Sequence, residues 1–179
     1  VTETDLHRLV EDHYDRLFRA ARFMAGDLGT AEELVQDTFL AAAEGGKRFE
    51  GRSSEYTWLY GILLNKFRRW LRRKRPRTVP LAGNPASSAS RADSLASGEP
   101  TPLEAAIRKE SVRQVREALD GLSADHRAVV TLRYVEGMSY EEIAGVVGCP
   151  TGTVKSRIHY ALRRIADHLR GTGSVGPPF

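Results

Sequence analysis

Apolar residues in the first part of the chain fall at helical spacing. Leu6, Leu9, Val10, His13, Leu17, Phe18 and Ala21 recur three and four residues apart. That pattern predicts a helix over about Thr4–Met24 with one buried face. The run Ala25-Gly26-Asp27-Leu28-Gly29 ends it. Thr30 and Glu33 make a T-x-x-E capping box, so a second helix is expected to open at Thr30. It turns Leu34, Val35, Thr38, Phe39 and Ala42 inward. A third helix follows Gly51-Arg52-Ser53-Ser54 and runs to about Lys74, where Pro76 stops it. Leu59, Leu63, Phe67 and Trp70 share one of its faces. From Thr78 to Pro102 the pattern vanishes into Pro, Ser, Ala and Gly. Such a segment buries too little to offset its ordering entropy and reads as a flexible linker. Helical spacing resumes at Leu103 with Ile107, Val112, Val115 and Leu119, and continues through Asp125–Tyr134. No strand alternation of useful length occurs. The fold class expected is all-α, two small helical domains (1–77 and 103–170) joined by a flexible linker (78–102), with a disordered tail (171–179).

The second domain ends in a sharper pattern. Ser139 and Glu142 form a capping box that starts a helix at Tyr140, buried through Ile143, Val146 and Val147. Gly148 supplies the permissive turn backbone. Pro150 forbids continuation, and Thr151 is expected to cap a second helix. Val154, Ile158, Ala161, Leu162 and Ile165 make its inner stripe. The outer face holds Gly152, Thr153, Ser156, His159, Tyr160, Arg163 and Arg164, flanked by Lys155 and Arg157. This is a helix-turn-helix, whose second helix enters the major groove by its N-terminal part. Lys155, Ser156, Arg157 and His159 are placed for base edges or phosphates, and the later arginines for phosphates. A plain helical hairpin with a solvated basic face is the competing reading. It leaves the coincidence of cap, glycine turn, proline stop and basic outer face unexplained.

Charge adds a second partner. The net formal charge is +4. Residues 1–45 carry ten acids and four bases, whereas residues 46–77 carry eleven bases and two acids. Such segregation suits one polyanionic partner and one other. Lys66 to Arg77, KFRRWLRRKRPR, holds eight bases in twelve positions and no acid. Trp58, Asn65, Arg69 and Arg72 line one side of the third helix. An aromatic and an amide in line with arginines suit an unstacked base and its phosphates. On periodicity alone, Trp58 is equally a core residue and Asn65 a solvated amide. Glu33, Gln36 and Asp37 form an acidic stripe on the second helix, away from its apolar face. It can dock a basic helix, or simply serve the helix N-terminus and solubility.

Composition narrows the rest. One cysteine, Cys149, makes no internal disulfide or multi-cysteine metal site and reads as a small half-buried hydrophobe. No apolar run approaches a membrane span, and the first residues lack a signal peptide's apolar core, so a cytoplasmic location is expected.

Taken together, AEELVQDTFLAA, FEGRSSEYTWLYGILLN and LRYVEGMSYEEIAGVVGCPTGTVKSRIHYALRRI resemble the signature segments of extracytoplasmic function (ECF) RNA polymerase sigma factors. The resemblance spans about Leu6–Arg77 and Leu103–Leu169. It implies a transcription initiation factor. Glu33, Gln36 and Asp37 match the positions that dock on core RNA polymerase. By the resemblance, the first domain is expected to melt and read the −10 promoter element. Phe49, Arg52, Ser53, Ser54 and Asn65 match its base pocket, with Trp58, Arg69 and Arg72 on the DNA-contacting helix. The second domain reads the −35 element as duplex, through Thr153, Lys155, Ser156, Arg157, His159, Tyr160 and Arg163. His159 and Tyr160 stand where other residues often occur, so the −35 sequence does not transfer. The resemblance implies promoter DNA and core polymerase as partners, an anti-sigma factor as inhibitor, and no metal, cofactor or small-molecule substrate.

The alternative is a self-sufficient dimeric helix-turn-helix regulator. It needs a dimer surface and a palindromic operator, and leaves the linker and the acidic stripe without a role. An enzyme is disfavoured. The histidines (7, 13, 126, 159, 168) show no metal-ligand spacing, and no phosphate loop or nucleophile constellation occurs.

Overall fold

The computed structural model describes residues 3–44, 49, 51, 53–74 and 102–171. Apart from Pro102, the linker expected from the sequence lies outside these residues. So do the tail after Gly171 and the site residue Arg52. The described residues are helical. In chain order they form α1 (Glu3–Ala25), α2 (Leu28–Ala43), α3 (Glu55–Lys74), α4 (Pro102–Asp120) and α5 (Ala124–Val130). A π-helical turn follows (Thr131–Val135), then α6 (Tyr140–Val147) and α7 (Thr151–Gly171).

α2 buries Leu34, Val35, Thr38, Phe39 and Ala42, as its spacing predicts, and adds Ala31. Its start differs. Asp27, not Thr30, is the N-cap, and its carboxylate accepts from the Thr30 backbone N–H at 2.8 Å. An aspartate in extended conformation caps as well as threonine does, and taking it gains the helix three further residues. α3 buries far more than one stripe: Tyr56, Leu59, Tyr60, Ile62, Leu63, Leu64, Phe67 and Leu71 are all inside. It is the central helix, packed on α1 and α2 and also on α5 and α6.

The helix-turn-helix forms largely as its sequence dictates. Ser139 and Glu142 make both halves of the capping box around the start of α6. Such a cap stabilises by about 1 kcal/mol. Gly148 takes φ 68°, a left-handed conformation that costs glycine nothing and closes the turn. The cap of α7 departs from expectation. The carbonyl of Pro150 accepts from Val154 N–H, so Pro150 stands at the cap and Thr151 is the first helical residue. Val154, Ile158 and Ala161 are buried, while Leu162 is 40% exposed and leaves the expected stripe. α4 is a helix as its spacing predicts, but of its expected stripe Leu119 alone turns inward. Ile107, Val112 and Val115 are exposed, and Gln114, Ala118 and Leu119 are buried. Leu119 carries the contact of α4 with α7, in one cluster with Ala161 and Ile165.

The two helical units do not stand apart. One continuous core runs from Leu17, Met24, Tyr60 and Phe67 into Ala128, Val129, Leu132 and Met138. A smaller cluster of Leu119, Leu122, Val130 and Ala161 takes Phe23 of α1 against it. The Tyr60 hydroxyl donates to the Ala128 carbonyl at 3.3 Å. The last carbonyls of α1, orphaned by the end of the helix, receive two arginines from the other unit. Arg116 donates to Phe23 at 3.1 Å and to Ala25, and Arg127 donates to Met24 at 2.6 Å. Asp120 aligns both guanidinium groups.

Candidate nucleic-acid interface

The acidic stripe is open. Glu33, Gln36 and Asp37 are exposed on α2, opposite its buried face. Leu40, one turn further on, is 56% exposed and extends the stripe with an apolar surface. Sequence reasoning passed it over because a lone leucine on a helix is assigned inward by default. Asp37 lies 3.6 Å from Lys66, a pair too exposed to contribute more than about 1 kcal/mol.

On the basic helix α3, Arg69 and Arg72 face solvent while Trp58 and Asn65 are half-buried. Trp58 leans against Phe49, ring centres 5.5 Å apart, and against the core. The Trp58 ring is thus half-buried, packed on the core on one side and on Phe49 on another. The Asn65 side-chain oxygen accepts from Arg68, which reaches on to Asp125 at 2.8 Å. Ser53 and Ser54 border a cleft of about 560 Å³. Its opposite wall comes from the second unit and includes Glu136, Met138 and Glu142.

On α7, Lys155, Ser156, His159, Tyr160 and Arg163 are exposed along one face, with Thr153 half-buried at its start. Ser156 donates to the Thr153 carbonyl. The Tyr160 ring packs on His126 at 4.7 Å. Burial first, then the nearby Arg157 cation, hold the His126 imidazole below its ordinary pKa and favour its neutral form. Arg157 itself is turned inward. It lies 3.5 Å from Asp125 and 3.8 Å from the Cys149 sulfur, which is half-buried as expected. Asp125 thus holds one arginine of α3 and one of α7 together.

Glu136 is a buried carboxylate, its side chain 1% exposed. Arg16 binds it at 2.5 Å and Arg19 lies at 3.8 Å. The Arg16 guanidinium also stacks over the Tyr56 ring at 3.6 Å. Burial, and then Glu136, push the Tyr56 phenol up, so it stays neutral. No helix of the described residues is long and apolar enough to cross a membrane, and none of their His, Cys, Asp and Glu side chains group to hold a metal ion.

Residues 9–77 match the sigma-70 region 2 family and residues 112–165 the sigma-70 region 4 family. The RNA polymerase sigma-H factor of Pseudomonas aeruginosa is 36% identical over 146 residues, 80% of this chain and 75% of that protein. The ECF sigma-E factor of Escherichia coli is 37% identical over 150 residues, 79% of this chain and 75% of that protein. The chain belongs to the ECF sigma factors. SigE of Mycolicibacterium smegmatis is 33% identical over 162 residues, and the chain spans 60% of it. Two solved structures share the sigma factor's helical arrangement. The sigma factor RpoE in complex with the anti-sigma factor NepR from Bartonella quintana has a TM-score of 0.61 at 28% identity, covering 93% of this chain and 97% of that one. CnrH in complex with the cytosolic domain of CnrY has a TM-score of 0.63 at 26% identity, covering 95% and 90%. Family membership thus rests on both ends of the chain, in the order the sequence segments suggested.

Proposed function

We propose that this chain is a promoter-specific initiation subunit that works as part of an RNA polymerase holoenzyme. α2 docks on core polymerase through Glu33, Gln36, Asp37 and the adjoining Leu40. α7 reads duplex −35 DNA through Thr153, Lys155, Ser156, Arg157, His159, Tyr160 and Arg163. The loop with Phe49, Arg52, Ser53 and Ser54, together with Trp58, Asn65, Arg69 and Arg72 of α3, opens and reads the −10 element. The reading is supported above all by one coincidence. Two DNA-facing helices, α3 and α7, share a chain with an acidic stripe that stays exposed although Lys66 of α3 lies 3.6 Å from its Asp37. A dimeric repressor has no need of that stripe. Bond making belongs to the polymerase, and the sigma factor supplies binding energy and position. By likeness to the RpoE–NepR and CnrH–CnrY complexes, an anti-sigma factor is also proposed as its inhibitor.

Run-off transcription on a promoter library tests the reading. Core polymerase with this chain is expected to initiate at a defined subset of templates. Charge reversal in Asp37→Lys is expected to reduce run-off at least about tenfold, the loss of one charge-assisted contact. Full activity of Asp37→Lys would remove the docking assignment. Silence of the wild type on every template would remove the reading itself.

A further inference from the structure

We propose that His126 is a positioning residue for −35 recognition: its imidazole holds the Tyr160 ring ready on the exposed face of α7, where that ring packs against the 5-methyl group of a thymine. The DNA target rests on the −35 reading proposed for α7; the contact between the two rings does not. His126 is not among the residues assigned to DNA above.

The start of α5 lies along α7. Consecutive residues Asp125 and His126 meet Arg157 and Tyr160, which stand one turn apart on α7. The ring centres of His126 and Tyr160 are 4.7 Å apart, with their planes tilted by 39°. Both residues lie between Pro102 and Gly171, so the contact is internal to the second unit. The imidazole is itself fixed. Ser123, the N-cap of α5, accepts from the His126 backbone N–H and sets its hydroxyl 2.6 Å from Nδ1. Burial and Arg157 favour the neutral ring, whose Nδ1 accepts the Ser123 proton. The cap that starts α5 thus also orients the ring on which Tyr160 leans.

An exposed tyrosine ordinarily exchanges among staggered rotamers, and ordering it on binding weakens the complex. The His126 contact orders the ring before DNA arrives. Aromatic pairs favour the held position about two- to tenfold. Tyr160 is still 49% exposed, so the ring keeps surface for a ligand. Its neighbours on that face, Lys155, Ser156, His159 and Arg163, are exposed and polar. They suit phosphates and polar base edges. Tyr160 supplies the large apolar surface there. Leu162, the other exposed large apolar residue of α7, lies about 200° round the helix. In the major groove, the apolar group that base edges offer is the 5-methyl of thymine.

The experiment has two arms, both on the full chain. Without DNA, nuclear Overhauser contacts between the His126 and Tyr160 rings are expected in wild type. With core polymerase, a promoter that supports run-off is used as a duplex. Each −35 thymine is replaced in turn by deoxyuridine, which removes the methyl alone. Wild-type holoenzyme affinity is expected to fall about fourfold at one thymine, the worth of one buried methyl. Tyr160→Ala and His126→Ala are expected to lose that discrimination, and His126→Phe, which keeps a ring, to retain it. Circular dichroism checks the helix content of each variant. A His126→Ala chain that binds more weakly but still discriminates acts only on the fold, and overturns the positioning role. Discrimination kept by Tyr160→Ala or lost by His126→Phe overturns it too, as does absence of ring contacts in wild type. Indifference of wild type to every deoxyuridine, or a −35 element without thymine, overturns the methyl contact. If His126→Ala loses its helices, His126→Phe decides: discrimination kept supports the ring contact, and discrimination lost overturns it. Silence of wild type on every promoter removes the −35 reading and the thymine with it, while the Overhauser contacts still decide whether His126 holds Tyr160.

Discussion

Arg157 and Asn65 show how far single residues carry the functional assignment. Both were legible as candidates from spacing, Arg157 on a basic outer face and Asn65 in line with arginines. Their present settings were not: Arg157 pairs with Asp125, distant in sequence, and Asn65 accepts from Arg68, which Asp125 in turn holds. If the site map is right, the two separate cleanly in binding assays of the holoenzyme. Arg157→Ala is expected to weaken −35 duplex binding by about 1–3 kcal/mol, leaving −10 base preference intact. Asn65→Ala is expected to blunt −10 preference and spare −35 affinity; the reverse pattern would redraw both sites. His126 gives a prediction with a sign. Its folded pKa is lowered, so between that value and about 6.5 the unfolded chain binds more protons than the folded one. Stability is full above that window and falls as pH drops through it. Thermal melts of wild type are expected to lose midpoint temperature below about pH 6.5, and those of His126→Gln to lose less. Equal loss in both would remove the assignment.

Helices were mostly legible as elements, while the faces they turn inward were not always. α2, α6 and α7 carry their own caps, turns and stripes, so local sequence places them. α4 misled because Ile107, Val112 and Val115 fit an apolar stripe yet stay exposed, and Leu119 alone of that stripe joins the cluster with Ala161 of α7. α3 misled by having two buried sides, one for each unit, which a single stripe cannot express. The end of α1 shows the limit most plainly. Gly26 reads from sequence as a turn residue, but its setting is tertiary. It holds φ 91°, and a Cβ there would lie 1.6 Å from the guanidinium carbon of Arg116. Gly148 has a similar backbone with open space around it. Gly148→Ala should therefore cost only left-handed strain, about 1–2 kcal/mol. Gly26→Ala should cost more, since Arg116 must also leave the α1 carbonyls. Chemical denaturation of the two variants side by side checks the order, and an equal cost would mean that Arg116 moves aside freely.

At the scale of the whole molecule, the charge map was plain in the sequence and the closed arrangement was not. Ten acids in residues 1–45 and eleven bases in residues 46–77 already imply two partners. Nothing local announces that Arg116, Arg127 and Glu136 would join the units, since each reads as an ordinary surface charge in its own helix. The exposed arginines at the end of α3 set a long-range field that salt must screen. Log affinity for a single-stranded oligonucleotide is expected to fall linearly with log salt. Arg72→Ala should flatten that slope by about 0.7–1. An unchanged slope would take Arg72 off the nucleic-acid path.

The two-sided burial of α3 has a consequence in time. Fifty residues separate Lys74 from Ala124, the start of the first helix that covers the far side of α3. At about 5–20 residues per second a ribosome takes roughly 3–10 s to make them. During that interval Tyr60 and Phe67 have no α5 to lie against. Each newborn chain therefore passes through a sticky, half-clothed stage, and crowded synthesis favours trigger-type chaperones or slow translation across that stretch.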